Sequence, residues 1–186
     1  MKKFYKIFFV FVIITIIFGT IYVAGQQVLR QSANDPQIQM AEDTATALAS
    51  GSSAPADFMP ASRQPFDITK SLAPFTIIFD SGGVILESSG DLNGENFSFP
   101  MGVFDYAKAN GEDRFTWQPE VGQRFAVVLK YYAVGGKSGF VLVGRSLREV
   151  EIREDNLELL VGFGWLFSAV LILIFAFWYN MKYGKQ

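Results

Sequence analysis

Hydrophobic residues are concentrated in two long blocks near the ends of the chain, and the segment between them mixes apolar and polar positions. Residues 7–25 and residues 159–179 contain no charged side chain. A helix rises about 1.5 Å per residue and the hydrocarbon core of a bilayer is about 30 Å thick, so each block is long enough to cross once. The pattern predicts two transmembrane helices that flank residues 26–158.

A helical pattern opens the middle segment. Asp35 and Pro36 are typical of a helix start, because Asp caps free N–H groups and Pro is tolerated in the first turn. One apolar stripe follows at helical spacing, at Ile38, Ala41, Ala45 and Leu48. We expect this stripe to pack on the domain's own sheet, in preference to a stalk between two copies. Residues 52–65 contain three Pro and predict a loop, and residues 67–72 suit one further helical turn.

Strand patterns fill the rest of the middle segment. Residues 75–79 and 84–88 are rich in β-formers and enclose a turn, which predicts a hairpin in which Asp80 holds its own backbone. A short helix and three more strands are predicted at residues 101–110, 114–118, 123–132 and 139–145. Hairpin connections imply an antiparallel sheet. The predicted fold class is therefore α+β.

The last predicted element is a long helix that leaves the sheet. Ser146 and Glu149 have the spacing of a capping box, and no Pro interrupts the chain from there to Tyr179. We expect one continuous helix into the second apolar block. An apolar stripe runs along this helix at Leu147, Val150, Leu157 and Leu160. The stripe suits either a four-helix stalk in a dimer or packing on its own domain.

Composition supports a membrane protein and removes many kinds of chemistry. The 186 residues are 50% hydrophobic and 16% aromatic, with a mean hydropathy of +0.23, and the length suits one domain with its anchors. The chain has no Cys and no His. Their absence excludes thiol nucleophiles, disulfides, haem ligation, imidazole catalysis and most zinc sites. We therefore expect no cofactor and no metal.

The distribution of charge predicts which side of the membrane each segment occupies. The tails, residues 1–6 and 180–186, carry five Lys and no acidic residue, whereas residues 26–158 have a net charge of −7. The positive-inside rule therefore places both tails in the cytoplasm and residues 26–158 outside the inner membrane. A competing interpretation treats residues 1–25 as a cleaved signal peptide, but the apolar run exceeds the usual length.

The residues that suggest catalysis have simpler explanations. Gly136-Lys137-Ser138 resembles the end of a phosphate-binding loop, but position 131 holds Tyr where that loop needs Gly. We therefore expect residues 135–138 to form a hairpin turn between two strands. Glu112-Asp113 is an acidic pair, but adjacent side chains on a turn point apart, so we expect a solvated loop. No catalytic residue is predicted, and we expect a protein that is not an enzyme. The acidic middle segment also argues against nucleic-acid binding.

Aromatic and basic residues on the later strands are candidates for a ligand pocket. Ligand sites are concave and mostly apolar, with a few polar anchors. The candidate ligand-binding residues are Trp117, Arg124, Lys130 and Tyr132. The competing interpretation is that these residues form ordinary core and a polar sheet face.

The order of elements and three sequence strings resemble a known family. The strings are QQVLRQSANDPQIQMAEDTA at 26–45, GEDRFTWQP at 111–119 and GRSLREVEIRED at 144–155. The region 26–158 resembles the extracytoplasmic PAS-like (Cache-like) sensor domains of bacterial two-pass sensor histidine kinases. The resemblance implies a PAS-like five-stranded antiparallel sheet flanked by helices, often with a small-molecule pocket between them.

The same resemblance implies a sensory role without kinase activity. A histidine kinase needs a phosphoacceptor His, and this sequence has none, so we expect an input module without the kinase part. Such a module would pass a conformational signal through its exit helix to a partner. The expected partners are the lipid bilayer, a second copy of the chain, a histidine kinase or other membrane signalling protein, and a small-molecule ligand. The alternative is a non-enzymatic envelope scaffold or protein-binding subunit with no small-molecule ligand.

Overall fold

The computed structural model describes residues 2–32, 35–62, 64–94 and 97–183. The chain divides into two compact units. A helical unit comprises Met1–Arg30 and Val150–Gln186, and a sheet domain comprises Gln31–Glu149. Asn34, which directly precedes the predicted helix start at Asp35 and Pro36, lies outside the described residues. The predicted α+β class is confirmed, with a five-stranded antiparallel sheet flanked by helices and two long apolar helices.

The elements follow one another in the predicted order. The helices are α1 (Lys2–Ser32), α2 (Asp35–Ser50), α3 (Met101–Asn110) and α4 (Arg148–Tyr183), with a 3₁₀ turn at Pro55–Phe58. The strands are β1 (Phe66–Asp67), β2 (Phe75–Asp80), β3 (Ile85–Ser88), β4 (Gly90–Asp91), β5 (Glu112–Glu120), β6 (Gln123–Val134) and β7 (Lys137–Ser146). The short helix lies at the predicted residues, and the last three strands are longer than predicted.

The main sheet has the strand order β3-β2-β7-β6-β5, and all its pairings are antiparallel. β7 lies at the centre and pairs with β2 on one side and β6 on the other. β6 and β7 extend further than predicted because Gly135 and Gly136 alone form the turn. Both have positive φ, 60° and 81°, as a two-residue type I′ hairpin turn requires.

The predicted hairpin between β2 and β3 is confirmed. Asp80 Oδ1 accepts hydrogen bonds from the backbone N–H groups of Gly82 and Val84, both at 2.8 Å. This is the Asx-turn role that was expected, in which the carboxylate satisfies donors of its own loop. The predicted turn after Asp67 also forms, because the Ser71 N–H donates to the Asp67 carbonyl at 3.1 Å.

One face of the sheet packs against α2. The buried helix residues Ala41, Ala45 and Leu48 form a cluster with the sheet residues Ile78, Val128, Val141 and Val143, and Ile38 packs against this cluster. The expectation that the stripe packs on its own sheet is therefore confirmed. Burying each of the larger side chains of this cluster, such as Leu48 or Val128, stabilises the fold by about 1.5–3 kcal/mol.

The opposite face packs against α3 and is rich in aromatic side chains. Phe104 and Ala107 of α3 join a buried cluster with Phe75, Phe79, Phe125 and Phe140 of the sheet. Gly144 of β7 lies directly opposite Phe75 of β2. A Cβ on Gly144 would stand 2.3 Å from Phe75 Cζ, so the glycine provides the space that the phenyl ring occupies.

The short strands β1 and β4 were not predicted. They form a two-residue parallel pair in which Phe66 lies opposite Gly90 and Asp67 opposite Asp91. Such a short pairing joins residues that are distant in sequence and has no periodic pattern of its own. It closes the side of the α3-face core at Ile68, which is 1% exposed.

The helical unit consists of α1 and the part of α4 from Val150 onward. Each of these helices contains a segment long and apolar enough to cross a membrane. The predicted continuous helix is confirmed, because α4 runs without a break from Arg148 to Tyr183. Ser146 Oγ accepts a hydrogen bond from the Arg148 N–H at 3.3 Å, whereas the predicted capping box would join Ser146 to Glu149.

Polar and aromatic contacts join the two helices of the helical unit. The Trp165 indole N–H donates to Thr15 Oγ1 at 3.0 Å, and the Trp165 ring lies edge-on to Phe11 with centroids 5.6 Å apart. Arg30 Nε pairs with Glu154 Oε1 at 2.8 Å. Interhelical hydrogen bonds of this kind are worth about 0.6–2 kcal/mol in a membrane.

Candidate functional site

Trp117 lies on the α3 face of the sheet, inside an aromatic cluster. Its ring centroid is 4.9 Å from that of Phe99, 5.6 Å from that of Phe125 and 5.7 Å from that of Phe97. Aromatic pairs at these separations add about 0.5–1.5 kcal/mol beyond the area that they bury. The indole thus has neighbouring rings as its contacts, and its role in this arrangement is packing.

Lys130 lies on the opposite face, where it forms ion pairs with carboxylates of two different elements. Its Nζ is 3.3 Å from Glu112 Oε2 on the neighbouring strand β5 and 3.7 Å from Glu42 Oε1 on α2. Burial alone would raise the pKa of Glu112, but hydrogen bonds from Arg114 and Lys130 outweigh it and lower that pKa. The Lys130 ammonium therefore connects α2 to the sheet.

The four predicted ligand residues do not come together at one place. Arg124, Lys130 and Tyr132 are even-numbered residues of β6, and side chains alternate between faces along a strand, so they share the α2 face. Trp117 packs in the cluster on the other face. Arg124 and Tyr132 are also eight residues apart on one strand, which is roughly 26 Å at about 3.3 Å per residue.

The acidic pair Glu112-Asp113 lies at the start of β5, so the expectation of a solvated loop is wrong. Glu112 pairs with Lys130 and Asp113 with Leu129 across the strand, and adjacent residues of a strand point to opposite faces. The two carboxylates therefore diverge, as expected, and do not form an acid–base pair. Within the described ranges, no group of three or more acidic side chains is placed to hold a metal ion.

A polar groove lies on the α2 face, next to the β6–β7 hairpin. The loop that follows α2, at residues 51–55, forms one wall, and Tyr132, Lys137 and Ser138 form the other. Ser81 of the β2–β3 turn closes one side. The volume of this α2–hairpin groove is about 620 Å³, which is within the range of about 300–1,000 Å³ that small-molecule sites occupy.

Of the four predicted ligand residues, Tyr132 is the one that lines the α2–hairpin groove. Its phenol ring crosses Gly139 of β7, where a Cβ would stand 2.9 Å from Tyr132 Oη. Burial raises the pKa of Tyr132 above its ordinary value, so the hydroxyl remains protonated and can donate a hydrogen bond at neutral pH.

Lys137 is the groove residue that the sequence interpretation assigned only to a turn. The structure places it as the first residue of β7, directly after the two-glycine turn. Its Nζ lies beside the backbone of Gly51, where a Cβ would stand 3.2 Å from it. The pattern of the sequence could not reveal this, because the approach joins a loop after α2 to a hairpin that is 86 residues further along.

Comparison with known proteins adds no assignment. No family model matches the chain, and no curated protein or solved structure matches it significantly.

Proposed function

We propose that this chain is a membrane-anchored sensory module of the signal-transduction type. In this proposal α1 and α4 cross the cytoplasmic membrane, both termini lie in the cytoplasm and the sheet domain lies outside. The domain binds a ligand or responds to a condition, and α4 carries the resulting conformational change to a partner. The module corresponds to a PAS-like (Cache-like) input domain of a two-pass histidine kinase.

The observation that carries this proposal is the connection between β7 and α4. β7 is paired on both sides by β2 and β6, and a single residue, Leu147, separates its last residue from the first residue of α4. α4 then continues unbroken to Tyr183. A shift of the central strand therefore has a short covalent route to the apolar helix, with no flexible linker to absorb it.

Two further features support the proposal. The five-stranded antiparallel sheet with helices packed on it agrees with the architecture that the family resemblance implies. The two tails, in which Lys is the only charged residue type, and the acidic middle segment favour a topology with both ends in the cytoplasm.

A non-enzymatic scaffold or protein-binding subunit is the second candidate. It is favoured by the aromatic packing on the α3 face, where the Trp117 ring packs against Phe97, Phe99 and Phe125. In that case the sheet domain would bind a protein at the envelope and would need no small molecule. The two candidates differ in one respect: in the sensor a ligand changes the conformation of α4, whereas in the scaffold no ligand does so.

The topology can be tested directly because the chain has no Cys. Val121, which is 98% exposed, and Met181, which is 63% exposed, are each replaced by Cys in separate variants. A maleimide that cannot cross membranes is added to spheroplasts, in which the outer membrane and cell wall have been removed and the cytoplasmic membrane is intact. We expect labelling of Val121→Cys and no labelling of Met181→Cys until the membrane is permeabilised. The reverse pattern, or labelling of both, would contradict the proposed topology.

The sensory step is tested with the full chain in nanodiscs. A panel of small metabolites is screened for a rise in melting temperature, and each compound that binds is then tested for its effect on the labelling rate of Ile152→Cys. Ile152 lies on α4 before the apolar block and is 47% exposed. Val121→Cys serves as the matched control. We expect a compound that changes labelling at position 152 and not at 121. If no compound changes melting while crosslinking recovers a protein partner, the scaffold candidate replaces the sensor.

A further inference from the structure

The α2–hairpin groove contains hydrogen-bond donors that the protein itself does not use. Among the described residues, the Lys137 ammonium and the Tyr132 hydroxyl have no hydrogen-bond or ion-pair partner. Among the described residues, the hydroxyls of Ser53 and Ser81 have no such partner either, and both residues line the same space. Lys130, only two residues before Tyr132, shows the contrast, because it is paired with two carboxylates.

The position of the Lys137 ammonium follows from the end of α2. The carboxyl end of a helix carries a partial negative charge, which attracts a cation, and Lys137 Nζ lies beside Gly51, immediately after the last residue of α2. An ammonium has three donors, and within the described chain none of them reaches an acceptor. The helix end therefore holds the charge at the groove and leaves its hydrogen-bonding capacity free.

Among the described residues that line the groove, Asp57 is the acidic one, and it already has a structural role. Asp57 Oδ2 accepts a hydrogen bond from the Ala54 N–H at 2.7 Å and caps the 3₁₀ turn. The acceptor capacity of the groove is thus partly used, while the donors of Lys137 and Tyr132 remain open. A ligand that complements this surface must supply acceptors, and the strongest hydrogen bonds form when the acceptor is charged.

We propose that the α2–hairpin groove binds a small soluble molecule that carries an oxyanion, a carboxylate or phosphate group, with Lys137 and Tyr132 as its principal ligands. The oxyanion accepts hydrogen bonds from the Lys137 ammonium and the Tyr132 hydroxyl, and Ser53 and Ser81 donate to the rest of the molecule. Residues 26–158 have a net charge of −7, so attraction by the domain as a whole cannot cause this binding. The local donors must provide it.

This inference names the ligand class for the sensory proposal, and it depends on that proposal only for the signalling consequence. Binding is measured without any signalling readout or knowledge of topology. A failure to bind oxyanions would leave a ligand-dependent change at Ile152→Cys unaffected, and the absence of such a change would leave oxyanion binding intact. The two proposals therefore fail separately.

The test is isothermal titration calorimetry on the full chain in phosphatidylcholine nanodiscs. Inorganic phosphate and citrate are titrated separately, and chloride at equal ionic strength is the control. We expect saturable binding of at least one oxyanion and none of chloride. Hydrogen bonds to charged groups contribute more to binding than neutral ones do, so Lys137→Gln should raise the Kd about tenfold or more. Tyr132→Phe should raise the Kd about three- to tenfold.

Lys108→Gln is the matched control variant. Lys108 is an exposed residue near the end of α3, which packs on the opposite face of the sheet, so its replacement removes one positive charge without touching the groove. We expect unchanged affinity, and melting curves will confirm that all three variants remain folded. Absence of saturable binding by both oxyanions, or equal weakening by Lys108→Gln and Lys137→Gln, would overturn the proposal.

A second preparation distinguishes a soluble ligand from a lipid headgroup, which carries the same chemistry. The titration is repeated in nanodiscs that contain phosphatidylglycerol. Equal affinity in both preparations supports a soluble ligand. Competition by phosphatidylglycerol that disappears in Lys137→Gln would overturn it in favour of a lipid phosphate.

Discussion

Replacing Gly144 with Ala tests the packing between the central strand β7 and its neighbour β2. The new Cβ would stand 2.3 Å from Cζ and 2.7 Å from Cε1 of Phe75, whereas nonbonded carbons prefer about 3.5–4.0 Å. The Phe75 ring must therefore move by more than about 1 Å. It is 1% exposed, and its centroid is 5.7 Å from those of Phe97 and Phe125. Overpacking of this kind costs about 1–3 kcal/mol of unfolding free energy.

The assay uses a buried thiol as the reporter of opening. Val128 of β6 is 0% exposed, and Val128→Cys introduces the chain's only thiol. When opening and closing are fast relative to labelling, the rate of labelling in the folded state follows the population of open molecules. A loss of about 1–3 kcal/mol corresponds to roughly 5- to 150-fold faster labelling, and we expect Gly144→Ala to fall in this interval.

Two further variants make this expectation refutable. Gly102→Ala on α3 is the matched control, because no atom lies within 4 Å of the Cβ that it would add, and Ala favours a helix over Gly by up to about 1 kcal/mol. Labelling should therefore be unchanged or slower. Phe75→Leu should recover part of the loss when combined with Gly144→Ala, since the smaller side chain leaves room. A Gly144→Ala variant that labels at the wild-type rate would refute the steric argument.

Three other variants have defined outcomes. Leu48→Ala leaves a cavity between α2 and the sheet and should cost about 2–5 kcal/mol, measured with the same buried thiol; a loss below about 1 kcal/mol would contradict the packing. Hydrogen bonds from Lys70 and Thr69 lower the pKa of Asp67 to about 2, so its stabilising contribution is complete above about pH 4 and is lost as the pH falls towards about 2. The melting temperature of the wild type should therefore fall more steeply over that interval than that of Asp67→Asn, and parallel curves would contradict this. Thr15→Val removes the acceptor of the Trp165 indole N–H, and one of the three indole N–H proton resonances should shift upfield, whereas three unchanged resonances would exclude that hydrogen bond.

Much of the fold could be predicted because its elements carry strong local signals. The hairpin around Asp80, the helix at 101–110 and the stripe of α2 each depend on residues close together in the sequence. The ends of β6 and β7 were predicted less well, because a two-glycine turn was interpreted as part of a longer loop. The pair of short strands at Phe66 and Gly90 had no periodic signal and depends on tertiary packing alone.

The candidate site was predicted less completely, because the pairing register of the strands could not be predicted from the residue types. Which residues of β5 and β6 share a face depends on their pairing, and the pairing is irregular between Trp117 and Glu120. From residue types alone, Trp117 and Tyr132 could be grouped into one pocket, although the structure places them on opposite faces. Lys137 was assigned to a turn because its neighbour in the groove, the loop after α2, is far away along the chain.

The central place of β7 also has a consequence for how the protein is made. Until β7 is synthesised, the β2–β3 hairpin and the β5–β6 hairpin share no pairing, because β7 is the strand that both β2 and β6 contact. The pairing of Phe75 with Gly144 spans 69 residues, and closing such distant contacts slows folding. We therefore expect the nascent domain to persist as two separate half-sheets until Ser146 has left the ribosome, and pulse labelling of Val128→Cys on stalled chains of increasing length would reveal that moment as an abrupt gain of protection.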